Sequence, residues 1–170
     1  MFLTSLVVLV LSLAPVQADA QRQWTELRLP EYGFRIEFPA LAQEGRLENG
    51  EIRWAVELDS GWTAYLCSTS EITVERLQSA GSHGVLEGAV EGGLKRFPGA
   101  AVLTRSPMEI GGNPGRLLVM RVEVQGTPMR IESRVFLVQR RLYVVTGVVR
   151  EGTDRAEMDR FQGSFALISR

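Results

Sequence analysis

One histidine, one cysteine and a glycine-rich turn are the features of this 170-residue chain with chemistry to offer. His83 sits in Gly81-Ser82-His83-Gly84. A metal site wants several His, Cys, Asp or Glu ligands at short spacing, and Glu87, four residues on, is one acid too few. A serine hydrolase would need His83 as its base, and no G-x-S-x-G nucleophile elbow accompanies it. Cys67 lies in the strand-like run Thr-Ala-Tyr-Leu-Cys-Ser-Thr and reads as a small buried hydrophobe rather than a reactive thiol. As the sole cysteine it has no partner for an internal disulfide. Gly111-Gly112-Asn113-Pro114-Gly115 could cradle phosphate only by leading into a helix, and Arg-Leu-Leu-Val-Met-Arg-Val follows instead, which is strand. Carboxylates are plentiful, but no pair is singled out for acid–base work. The expectation is no catalytic, cofactor-binding or metal-binding residue.

The residues suited to recognition are aromatic and basic. Trp54, Trp62 and Tyr65 fall on adjoining strand segments, and Arg116, Arg130, Arg134, Arg140 and Arg141 cluster later in the chain. Aromatic residues and arginine are what protein interfaces favour. Trp54, Trp62, Arg140 and Arg141 are therefore the candidate partner surface, with core packing as the competing role for the tryptophans. For the arginines the competing role is a solvated face neutralised by Glu123 and Glu132. The 19 Lys plus Arg against 20 Asp plus Glu give a net charge of −1, with no basic excess to hold nucleic acid.

The first residues carry an address. Phe2 to Leu13 is almost unbroken in apolar residues, shorter than the roughly 20 that a helix needs to span a bilayer. Pro15 and the small-x-small triplet Ala18-Asp19-Ala20 follow, as at a signal-peptidase site. Residues 1–20 read as a signal peptide and 21–170 as one exported domain, periplasmic or secreted, with no stable membrane insertion once the leader is cut. No cysteine stands near the cleavage site to carry a lipid anchor.

Short strands are expected over Trp24 to Leu29 and Tyr32 to Phe38, then a meander from Leu41 to Ser70 with turns at Asn49-Gly50 and Ser60-Gly61. Between Thr73 and Phe97 the period changes to three and four, which is a helix capped by Ser70 or Thr73, with a weak point at Gly81 to Gly84. Strands return from Ala100. In the last, Leu142, Val144, Thr146 and Val148 share one face while Tyr143, Val145, Gly147 and Val149 share the other, as in a central strand covered on both sides. A terminal helix from Thr153 to about Ile168 closes the chain. This order is α+β: a mainly antiparallel sheet with a helix on each face, a three-layer α/β/α sandwich.

Several short motifs occur in a set order: Tyr32-Gly33-Phe34 with Ile36, Phe38 and Pro39; Gly112 with Pro114-Gly115-Arg116-Leu117-Leu118; Arg141-Leu142-Tyr143-Val144-Val145; and Phe161 with Ser164-Phe165. Together they resemble the bacterial PsbP-like family, relatives of the lumenal extrinsic protein of photosystem II. The resemblance covers nearly all of the chain after the leader. It implies an α/β/α sandwich and a non-catalytic protein that docks on, or helps assemble, a membrane-associated protein complex; it carries over no metal or cofactor residue. Carriage of a small ligand inside the sandwich is the alternative, requiring a lined pocket of a few hundred Å³; a hydrolase comes after it.

Overall fold

A computed structural model describes residues 22–168, so the expected signal peptide lies outside the described residues. Strands β1 (Thr25–Leu29) and β2 (Phe34–Phe38) form an antiparallel hairpin. Strands β3 (Gln43–Arg46), β4 (Ile52–Leu58) and β5 (Thr63–Glu71) make the expected meander. Helix α1 (Val74–Lys95) follows, then β6 (Ala101–Ile110), β7 (Asn113–Val124), β8 (Thr127–Val138), β9 (Arg141–Arg150), helix α2 (Ala156–Ser164) and β10 (Ala166–Leu167). The large sheet runs β3-β4-β5-β9-β8-β7-β6, every neighbouring pair antiparallel, with β9 in the centre. The fold is α+β with a mainly antiparallel sheet, as expected.

The two faces of β9 have different covers. Tyr143, Val145 and Val149 point into an aromatic core with Phe34, Ile36, Phe38, Trp54, Tyr65, Phe161 and Phe165. That side is closed by α2 together with a second, three-stranded sheet, β1-β2-β10. On the opposite face α1 packs over β7 and β8 rather than over β9, which is therefore not fully covered on both sides as expected: Leu86 packs with Val135 and Leu137, and Val90 with Leu118, Met120 and Ile131. Thr73 caps α1, its hydroxyl accepting from Arg76 N at 3.2 Å. Gly81 breaks the helix with φ 64° and ψ 173°, a backbone conformation open essentially to glycine alone.

The turn after β3 holds, and two expectations at the last helix are corrected. The chain does turn at Asn49-Gly50, with Gly50 at φ 81° and Asn49 Oδ1 accepting from Glu51 N at 3.0 Å. The last helix begins at Ala156, where Asp154 Oδ1 accepts the first free amide at 3.0 Å, rather than at Thr153. It also ends at Ser164 rather than running to Ile168. Ser164 Oγ accepts from Glu37 N at 2.8 Å and donates to Phe161 O at 2.7 Å, which halts the helix. Phe165 then turns extended and stacks parallel on Phe136 at 5.7 Å, and Ala166–Leu167 pair with β2.

Candidate functional site

The four candidate surface residues occupy three places. Trp54 is not on the surface. The alternation of β4 sends it inward opposite Cys67, 3% exposed, with its ring 5.2 Å from Tyr32 and 5.4 Å from Phe34. Trp62 escapes this because it follows the turn Asp59–Gly61 and does not lie in a strand.

Arg140 and Arg141 stand where β8 turns into β9. Arg140 is ion-paired with Glu71, and its carbonyl accepts from Ile72 N at 2.7 Å. Arg141 Nη1 donates to Glu31 O at 3.1 Å, with its guanidinium 5.7 Å from the Tyr32 ring centre. Tyr143 Oη donates to Tyr32 O at 2.6 Å. These contacts fasten the hairpin tip to the β1–β2 turn around a polar pocket of about 430 Å³. Both arginines are engaged with the chain itself.

Trp62 lies at the other end of β9, roughly 30 Å away for ten extended residues. It is half-buried, the Arg150 guanidinium lies 4.7 Å over its ring, and Val124 beside it is 42% exposed. Trp62, Val124 and Phe97 line a shallow pocket of about 290 Å³ closed below by Met129 and Ile131. In the turn before Trp62, hydrogen-bonding to Thr63 and then Arg22 holds the Asp59 carboxyl below its ordinary value. An aromatic ring under a guanidinium, flanked by an exposed aliphatic side chain, is the composition of an interface anchor.

The residues with catalytic potential are placed otherwise. Cys67 is fully buried and burial pushes its thiol up, so it stays protonated and out of reach. His83 is exposed; Arg116 Nη2 lies 2.8 Å from its Nδ1, and because arginine can only donate, Nδ1 accepts. Among the described residues no three His, Cys, Asp or Glu side chains stand together as metal ligands.

Two ion-pair clusters link elements that the sequence leaves separate. Glu132 is 4% exposed, with Arg155 Nη2 at 3.0 Å, Arg130 Nη2 at 3.5 Å and Arg134 Nη2 at 3.9 Å. Gln162 Nε2 donates to its carbonyl at 2.9 Å. This buried acid ties α2 to β8, and its chief partner, Arg155, carries no signal in the sequence. Glu87 of α1 accepts from Arg116 Nε at 2.6 Å and also pairs with Arg105. The Arg116 hydrogen bond first, then that of Arg105, lowers the Glu87 carboxyl to about 2. A depressed carboxylate adds stability above its unfolded value, near 4.5, and loses it as pH falls toward about 2. Acid titration of unfolding in the chain and in Glu87→Gln is expected to diverge above that window and to converge below it; parallel curves throughout would contradict the pairing.

No family model matches this chain, and no curated protein matches it in sequence. Solved structures do match in shape. Cyanobacterial PsbP (CyanoP) from Synechocystis sp. PCC 6803 superposes with a TM-score of 0.57 at 15% identity, covering 91% of this chain and 98% of that one. A protein from Bacteroides thetaiotaomicron gives 0.53 at 11% identity over 85% of this chain, which spans only 48% of the Bacteroides chain. The Ran-binding protein Mog1p of Saccharomyces cerevisiae gives 0.49 at 10% identity, covering 87% of this chain and 97% of its own. The α+β arrangement described above is thus a PsbP-like fold.

Proposed function

We propose that this chain is an exported, non-catalytic protein that docks on, or helps assemble, a membrane-associated protein complex. In this reading residues 21–170 form one domain, a three-layer α/β/α sandwich in which a small sheet shares a layer with α2. The observation that carries it is the Trp62 end of the central strand, where ring, guanidinium and aliphatic side chain meet on an accessible rim. Export is supported by the apolar run from Phe2 to Leu13 and by Ala18-Asp19-Ala20. Among the described residues no helix is long and apolar enough to cross a membrane. Glu87 and Glu132, the acids at the centre of the two ion-pair clusters, are both held by arginines.

The test is affinity capture from the envelope fraction of the native cell, using the chain from Gln21 and a Trp62→Ala, Arg150→Glu variant of it. The reading expects one membrane complex recovered by the unaltered chain and lost by the variant. Equal recovery by both would remove Trp62 as the contact, and turnover of a substrate with a defined residue dependence would remove the non-catalytic reading.

A further inference from the structure

Helix α1 covers only part of its sheet face. It packs on β7 and β8, and leaves Leu66 of β5 and Val144, Thr146 and Val148 of β9 half-buried. On the other face of the same strands Tyr65, Cys67, Tyr143 and Val145 are 3% exposed or less. Between α1 and the uncovered strands lies a pocket of about 360 Å³, walled mainly by Leu66, Val90, Leu118, Ile131, Val144 and Val148. That volume falls within the range of small-molecule sites.

Polar groups are few there, and they converge. Ser68 lines the pocket and is 2% exposed. Its hydroxyl can donate to, or accept from, a ligand oxygen or nitrogen seated there. Beside it Ser133 Oγ and Thr146 Oγ1 lie 2.8 Å apart; one donates to the other, which leaves the second hydroxyl proton free. The charged lining residues, Glu51 and Arg96, are opposite in sign, and neither is buried.

The helix wall adds a second observation. Gly92 and Gly93 line the pocket, and glycine inside a helix weakens it relative to alanine. Packing demands neither: a Cβ at Gly92 would meet nothing within 4 Å, and one at Gly93 would stand 3.9 Å from Leu118 Cδ2, an ordinary contact. Their missing side chains keep the space open.

From this we infer that the pocket between α1 and the sheet binds an uncharged, mainly apolar small molecule with one hydrogen-bonding oxygen, seated on Ser68 and the Ser133–Thr146 pair. This site is separate from docking at Trp62 and does not depend on it.

Prodan, an uncharged naphthyl ketone whose emission moves to shorter wavelength in apolar surroundings, is the probe, titrated into the full chain. Saturation at one molecule per chain is expected. Gly93→Leu fills the pocket from a helix position where leucine favours folding, and is expected to weaken binding by about tenfold or more. Ser68→Ala keeps the space, removes the hydroxyl, and is expected to weaken it by about fivefold. Equal affinity in the chain and in folded Gly93→Leu would overturn the inference, because the probe would then sit elsewhere, on the apolar stretch Phe2 to Leu13 or on the surface. Should Gly93→Leu fail to fold, methyl resonances of the unaltered chain decide. Shifts at Leu66, Val90 and Val144 support the site, and shifts confined to other methyls, or none, contradict it.

Discussion

Gly147→Leu is expected to prevent native packing of the aromatic core. Gly147 sits on the buried face of β9, under α2, and a Cβ built there would lie 2.1 Å from Met158 Sδ, 2.6 Å from its Cε and 3.6 Å from Tyr65 Cδ1. Met158 is flexible but only 1% exposed, so it has little room in which to move. Alanine therefore forces a local rearrangement of about 1–3 kcal/mol. Leucine adds three further carbons between strand and helix, and α2 must lift away, taking Phe161 with it. Against a total stability of about 5–15 kcal/mol that is enough to unfold much of the population. Urea unfolding followed by tryptophan fluorescence reads the alanine effect, and native yield with near-ultraviolet dichroism reads leucine. An unchanged midpoint for Gly147→Ala would mean that α2 does not seat on β9 at this point.

Phe161→Ala is expected to lower stability by about 3–5 kcal/mol. The ring is 0% exposed, with its centroid 4.9 Å from Tyr65 and 5.2 Å from Phe38, so it joins α2 to both sheets at once. Removing it leaves a cavity whose walls belong to three elements, and such a site collapses poorly. Phe161→Leu keeps most of the volume and should lose clearly less. The urea midpoints of the two variants, compared at a common m-value, check the ranking; a loss below about 1 kcal/mol for alanine would place the ring outside the core.

Periodicity identified β9 as central because all its alternate positions are apolar or small, and the sheet order bears this out. What it missed is how much of each face is covered. Val144 and Val148 look as core-like in sequence as Val145, yet α1 sits over β7 and β8 and leaves them half open. Which strands a helix covers depends on crossing geometry, and residue type does not encode that. Tryptophan placement divides in the same way. Trp54 follows the inward alternation of Ile52 and Val56, a signal that was available; Trp62 stays accessible because Asp59–Gly61 interrupts the alternation just before it. Strand β10 has two residues and no periodicity of its own, so Phe165 and Ile168 read as a continuing helix stripe until Ser164 is seen bound to Glu37. The arginines show the steepest limit. Arg140 finds Glu71 across 69 residues, and Arg141 reaches the Glu31 carbonyl across 110, pairings that exist only once the strands are assembled.

The central claim is that the Trp62 end of the sheet meets a protein in the cell envelope. Photo-crosslinking in the living cell tests it most directly, with a benzophenone amino acid at position 124, beside Trp62, and at position 48, in the exposed turn after β3. The account predicts one discrete adduct with a membrane-associated protein from position 124, lost when Trp62→Ala is added, and none of that mass from position 48. No adduct from position 124, or the same adducts from both positions, would contradict it.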